Sequence, residues 1–146
     1  MSDGMNAALR ILVVEDYEPI RRVFCSWLRE RDFQVMETAD GLEAIEKVKE
    51  LKPDLVLFDI GLPNLNGIES AKRVRSLVPS AKVVFVTQES SPDIIRETFR
   101  LGARGYIHKQ QASRELLPAI DAILGGQRFV SSTLDFIDNG DVGCSQ

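Results

Sequence analysis

Three carboxylates, a hydroxyl and an ammonium stand in this chain at the ends of short apolar runs. Glu15 and Asp16 follow Ile-Leu-Val-Val, and Asp59 follows Leu-Val-Leu-Phe. Thr87 follows Val-Val-Phe-Val, and Lys109 lies two residues past Ile107. Brought together, like charges at ~4 Å cost about 4 kcal/mol per pair at an effective dielectric of ~20. A packed fold keeps such a cluster when a cation neutralises it. The donors are all oxygen and few, with room for water, which suits octahedral Mg²⁺ better than zinc. The carbonyl of Gly61, two residues past Asp59, could add a further oxygen. Beside such an ion, Asp59 is the natural nucleophile for a phosphoryl group, giving an aspartyl-phosphate. Lys109 would share the charge on the transferring oxygens, and the Thr87 hydroxyl would swing toward the new phosphate. Singly, each residue has an ordinary explanation as a cap, a loop residue or a solvated charge. The set in order, each at the end of its own run, is what carries the reading.

The runs themselves read as strands: Leu9–Val14, Phe33–Thr38, Leu55–Phe58, Lys82–Val86 and Gly105–Ile107. Near-continuous apolar composition is what a strand covered on both faces requires. The second run alternates more and is expected at an edge. Between the runs lie helical stripes, the clearest being Ile20, Val23, Phe24, Trp27, Leu28 and Leu116, Leu117, Ile120, Ile123, Leu124. Weaker ones pass through Leu42, Ile45, Val48, through Ile68, Ala71, Val74, and through Ile94, Ile95, Thr98, Leu101. Pro19, Asp40-Gly41, Asn66-Gly67 and Ser91-Pro92 fall at helix starts, and Gly102 and Gly125-Gly126 at helix stops. Five strands alternating with five helices, joined by right-handed crossovers, predict an α/β, doubly wound (βα)5 parallel sheet. Ligands of such sheets bind beyond the carboxyl ends of the strands, where these polar residues gather.

The 146 residues suffice for one domain. A net charge of −4 carries no basic footprint for nucleic acid. No apolar run approaches the ~20 residues of a membrane span, and residues 1–10 lack the apolar core of a secretory signal, so a cytoplasmic protein without membrane contact is expected. Two cysteines and one histidine make neither a disulfide framework nor a zinc site. Cys25 is expected inside a helix and Cys144 exposed near the end; His108 is expected to be a neighbour of the site without a part in its chemistry.

Ile11-Leu-Val-Val-Glu-Asp16, Asp59-Ile-Gly-Leu-Pro63 with Asn66-Gly67, Thr87, and Gly102-Ala-Arg-Gly-Tyr-Ile-His-Lys109 resemble the receiver domain of bacterial two-component response regulators. The resemblance covers roughly residues 9–126, with 1–8 as an N-terminal extension and 127–146 as a linker or tail. It implies a CheY-like, flavodoxin-like sheet of five strands in the order 2-1-3-4-5. Glu15, Asp16, Asp59 and the Gly61 carbonyl would bind Mg²⁺, and Asp59 would be phosphorylated by a sensor histidine kinase or phosphotransfer protein. Thr87 and Tyr106 would form the switch, with Tyr106 turning inward as Thr87 moves. The family implies self-catalysed transfer and slow autodephosphorylation without enzymatic turnover. It also implies a phosphorylation-strengthened homodimer. Gly-Gly-x-Arg-Phe-Val-Ser after the last helix resembles the exit from receivers of the NarL/FixJ type, which continue into a DNA-binding domain. Residues after Gly126 show no helical period and little Lys or Arg, so DNA binding by this chain itself is not expected; output would run to transcription in a longer protein or through protein contacts.

Two other classes use similar parts. Haloacid-dehalogenase-like phosphatases need a second Asp two residues past the nucleophile, where this chain has Gly61. A nucleotide or flavin binder on the same fold would be supported by a Gly-rich phosphate loop, and neither Gly-x-Gly-x-x-Gly nor a P-loop is present.

Overall fold

The computed structural model describes residues 8–62, 64–89 and 91–131. Pro63 of the Asp59 motif, Cys144 and residues 1–7 of the expected extension at 1–8 lie outside them. Successive residues of each apolar run face opposite sides of one sheet. From β1 (Arg10–Val14), β3 (Leu55–Phe58) and β4 (Lys82–Thr87), the side chains of Ile11, Val13, Leu55, Leu57, Val84 and Val86 face one way. They pack on Phe24 and Leu28 of α1 (Glu18–Glu30) and on Leu116, Ile120 and Ile123 of α5 (Ala112–Leu124). Leu12, Val14, Val56, Phe58, Val83 and Phe85 face the other way. There they meet Ala44 and Val48 of α2 (Gly41–Leu51), Ala71 and Val74 of α3 (Gly67–Leu77), and Ile95 and Phe99 of α4 (Pro92–Arg100). Past Arg10 and Lys82 at the strand starts, every residue of the central strands is buried, which is why these runs lack a polar face; full burial of each such aliphatic side chain stabilises the fold by about 1.5–3 kcal/mol.

All strand pairs are parallel, in the order β2-β1-β3-β4-β5-β6. β2 (Gln34–Thr38) lies at one edge, as its alternation implies. The order 2-1-3-4-5 is present, but the expected five strands are one too few. Phe129 and Val130 form β6 alongside Gly105 and Tyr106 of β5 (Gly105–His108). A two-residue strand has no period to read, and it lies in the stretch taken as linker.

Helix ends follow local chemistry. Asp40 accepts from the N–H groups of Leu42 and Glu43 at 2.7 and 3.3 Å, and Asn66 from that of Glu69 at 2.9 Å. These caps satisfy donors that the first helical turn leaves without a partner. Pro19 and Pro92 occupy first-turn positions. Gly102 and Gly126, at φ 96° and 97°, follow α4 and α5 in the left-handed region. A 3₁₀ turn, Lys109–Gln111, leads into α5, whose Pro118 is exposed. Because all strands run the same way, the exits of β1, β3, β4 and β5 share one edge.

Candidate functional site

At that edge β1 delivers Glu15 and Asp16, β3 delivers Asp59, β4 ends on Thr87 and β5 runs on to Lys109. Carboxylate oxygens of Glu15, Asp16 and Asp59 lie within 4.8 Å of one another. Glu15 and Asp59 are 2% and 9% exposed, whereas Asp16 is exposed. Lys109 Nζ bridges the buried pair, 2.8 Å from Glu15 Oε1 and 3.0 Å from Asp59 Oδ2. One ammonium facing three carboxylates leaves an excess of negative charge. An all-oxygen set at this spacing fits a hard divalent cation such as Mg²⁺.

The titration of the buried groups reflects this crowding. Burial pushes the Glu15 carboxyl above its ordinary value, although hydrogen bonds from Lys109 and the Tyr17 N–H act against it. Burial alone would lower the Lys109 ammonium; hydrogen bonds to Glu15 and Asp59 outweigh it, and its pKa is raised.

Asp59 is held from its own loop. The Gly61 N–H approaches Asp59 Oδ1 at 3.3 Å. Gly67 N–H donates to the Ile60 carbonyl at 2.8 Å, and a Cβ at Gly67 would sit 2.1 Å from the Asp59 carbonyl oxygen. The loop therefore closes against the backbone of Asp59 only because residue 67 has no side chain. Asn64 Nδ2 donates to Asp40 Oδ2 at 2.5 Å, joining this loop to the cap of α2.

Asp59, Gly61, Thr87, Gln88, Glu89 and Lys109 line a cavity of about 290 Å³. A second, of about 350 Å³, opens between Glu15, Asp16, Tyr17, Gln88 and Lys109. The sequence-derived set thus converges, with Gly61 at the rim. His108 stays outside it, half-buried, with Nδ1 accepting from the Gln110 N–H at 3.3 Å.

Tyr106 differs from expectation. Rather than waiting outside for Thr87 to move, it is already inside, 0% exposed. Its hydroxyl donates to the Glu89 carbonyl at 2.8 Å, while the Glu89 N–H donates to Thr87 Oγ1 at 3.2 Å. A phenol is buried cheaply only when its hydroxyl finds a partner, and the β4–α4 loop provides one. Burial pushes the phenol pKa up, with Glu89 and Asp59 adding to it. The role of Glu89 as the backbone link between Thr87 and Tyr106 leaves no signal in the sequence. Arg21 was missed altogether: its Nη1 donates to the Glu15 carbonyl at 3.0 Å and its Nε to Glu37 Oε1 at 2.9 Å. Its position one helical turn past the acidic pair was the available signal.

Fold and crevice together define a flavodoxin-like α/β protein with an acidic site at the carboxyl edge of its strands. Residues 11–121 match the response regulator receiver domain, and the chain belongs to that family of two-component signalling proteins. The response regulator GacA of Pseudomonas viridiflava is 35% identical over 125 residues, covering 84% of this chain and 58% of GacA. The transcriptional regulatory protein LnrK of Bacillus subtilis (strain 168) is 36% identical over 120 residues, covering 81% of this chain and 54% of LnrK. The chain thus spans somewhat over half the length of these relatives. Among solved structures, a LuxR-family two-component response regulator from Aurantimonas sp. SI85-9A1 superposes with a TM-score of 0.86 at 31% identity, covering 93% of this chain and 99% of that one. A CheY-like receiver from Methanospirillum hungatei JF-1 gives 0.78 at 30% identity, covering 82% and 95%. Among the described residues no helix is long and apolar enough to cross a membrane.

Proposed function

We propose that this chain is a phosphorylation-dependent signalling switch in which Asp59 accepts a phosphoryl group from a phosphohistidine of a sensor kinase or phosphotransfer protein. The observation that carries the reading is Asp59 itself: a nearly buried carboxylate 3.0 Å from the Lys109 ammonium and grouped with Glu15 and Asp16. A carboxylate oxygen of Asp59 attacks phosphorus, the P–N bond to the donor imidazole breaks, and the imidazole leaves with a proton. Glu15, Asp16, Asp59 and the Gly61 carbonyl are the residues that would hold Mg²⁺. When bound, the ion would supply charge for the transferring oxygens. Lys109 then follows the new phosphate, and Thr87 gives up the Glu89 N–H to donate to it. Release of that loop loosens the Glu89 carbonyl that holds the Tyr106 hydroxyl, and Tyr106 passes the signal to the face of α4, β5 and α5. Return to the resting state is slow hydrolysis of the acyl phosphate within the same site, without turnover of a substrate.

The relatives carry the names of a response regulator and a transcriptional regulator, which supports transcriptional control as the output in a longer protein. Phosphorylation would strengthen a homodimer. Incubation with acetyl phosphate and Mg²⁺, followed by intact mass, tests the acceptor. One added phosphoryl mass that needs Mg²⁺ and is lost in Asp59→Asn supports the reading. No adduct from either acetyl phosphate or a phosphorylated histidine kinase overturns it. Light scattering with and without beryllofluoride tests the dimer, and an unchanged monomer mass rejects it.

A further inference from the structure

The carboxylate of Asp16 is exposed and, among the described residues, has no hydrogen-bond partner. Its aim therefore depends on the backbone that carries it, and two side chains hold that backbone: the Glu15 carboxylate accepts from the Tyr17 N–H at 3.0 Å on the far side of Asp16, and Arg21 holds the peptide before it. Arg21, 17% exposed, leaves the first turn of α1 and folds back beneath the acidic pair. Its Nη1 donates at 3.0 Å to the carbonyl of Glu15, the oxygen of the peptide joining Glu15 to Asp16. Its Nε donates at 2.9 Å to Glu37 on β2, and Arg29 approaches the same carboxylate at 3.6 Å. On the other side of Glu15, its N–H donates to the Thr38 carbonyl at 3.0 Å. The two peptides flanking Glu15 are thus both moored to β2, one by the strand itself and one through Arg21.

We propose that Arg21 is a positioning residue for the divalent-cation site, fixing the Glu15–Asp16 peptide so that both carboxylates aim into the crevice. This rests on the reading of that crevice as a Mg²⁺-dependent phosphoryl acceptor. Freed from Arg21, the peptide rotates by changing ψ of Glu15 and φ of Asp16 together, which swings the unpartnered Asp16 carboxylate away. Lysine cannot replace the arrangement: a guanidinium spans a carbonyl and a carboxylate with two fixed N–H directions, whereas an ammonium is a point charge on a flexible stem.

The sign of the effect separates position from charge. Loss of a positive charge near the site, by itself, attracts a cation more strongly; loss of a brace weakens its binding. Calorimetric titration of MgCl₂ into the wild-type chain, Arg21→Gln, Arg21→Lys and Arg22→Gln reads the difference. Arg22 carries the same charge one position on but is bound to Glu18, 2.8 Å away on its own helix. The expected result is Mg²⁺ affinity about tenfold lower in Arg21→Gln, with a smaller loss in Arg21→Lys. Arg22→Gln should bind as the wild type does. Phosphorylation by acetyl phosphate should need more Mg²⁺ in Arg21→Gln yet reach a similar rate at saturation, which general loss of folding would not produce. Equal or tighter Mg²⁺ binding by Arg21→Gln overturns the proposal while leaving the reading of the site intact. If Arg21→Gln does not fold, Arg21→Lys with undiminished Mg²⁺ affinity overturns it. A wild-type chain that takes up no Mg²⁺ overturns both.

Discussion

Lys109 Nζ lies 2.8 Å from Glu15 and 3.0 Å from Asp59, so one ammonium ties the end of β1 to the end of β3. Without a metal, that bridge is what offsets two buried carboxylates. Replacing Lys109 by Met leaves them facing each other. We expect the metal-free variant to lose up to about 3 kcal/mol of stability. Millimolar Mg²⁺ should recover more of it than it adds to the wild type, because the ion binds only the folded state. Urea denaturation with and without Mg²⁺ measures this; an equal Mg²⁺ increment in both proteins would count against it.

The Tyr106 hydroxyl and the Tyr106 ring make separable contributions. Tyr106→Phe removes one hydrogen bond to the Glu89 carbonyl and should cost about 1 kcal/mol. Tyr106→Ala also empties a site packed against Phe85, at a centroid distance of 6.3 Å, and should cost about 3–5 kcal/mol. Amide exchange across residues 87–89 should rise already in Tyr106→Phe, since the loop loses its inward tether.

Gly67 and Gly61 flank Asp59 but differ in the space around them. A methyl at Gly67 meets the Asp59 carbonyl oxygen at 2.1 Å; one at Gly61 meets nothing within 4 Å. Gly67→Ala should destabilise by about 1–3 kcal/mol and, by displacing Asp59, the proposed acceptor, lower the yield of Mg²⁺-dependent phosphorylation. Gly61→Ala should leave the urea midpoint nearly unchanged. Comparable midpoints in the two variants would contradict the close approach seen at Gly67.

Cys25 is 1% exposed, and burial, reinforced by Glu37, pushes its thiol from 9.0 up to about 11. The unfolded chain thus loses this proton before the folded chain does, and stability falls as pH rises from 9.0 to about 11. Below 9.0 both states keep the proton, and this group adds no pH dependence. One proton allows a slope of at most about 1.4 kcal/mol per pH unit. Urea melts on either side of the window should show a shallower loss in Cys25→Ala, whatever its fixed offset. Peptide mapping after thiol alkylation at neutral pH should find Cys25 unmodified until denaturant is added.

The site was legible because parallel strands bring their carboxyl ends to one edge. Glu15, Asp16, Asp59, Thr87 and Lys109 could each be placed by the apolar run before it, without knowing any loop. The apolar runs also marked the central strands, since burial on both faces removes polar residues from them. What escaped was set by contacts without a sequence period. Phe129 and Val130 pair with β5 through backbone groups that any residues could offer. Tyr106 was recognised, but whether its ring lies in or out depends on the Glu89 carbonyl, which no side-chain pattern records. Arg21 reads in sequence as one of two adjacent arginines on the polar side of an amphipathic helix; only the fold distinguishes it from Arg22.

β6 also bears on how safely the protein stays in solution. Without it, β5 would be the last strand, with the free edge groups of Gly105 and Tyr106 open to pairing by another chain. Two residues of β6 cover them and, among the described residues, end the sheet on a border too short to template a neighbour. Ser131 closes the patch: its N–H donates to the Tyr106 carbonyl at 2.9 Å, and its hydroxyl accepts from the His108 N–H at 3.0 Å and donates to Glu115. Cutting the chain at Gly126, just past α5, would therefore uncover a sticky margin beside Tyr106. Such a truncated chain would aggregate for reasons unrelated to its chemistry.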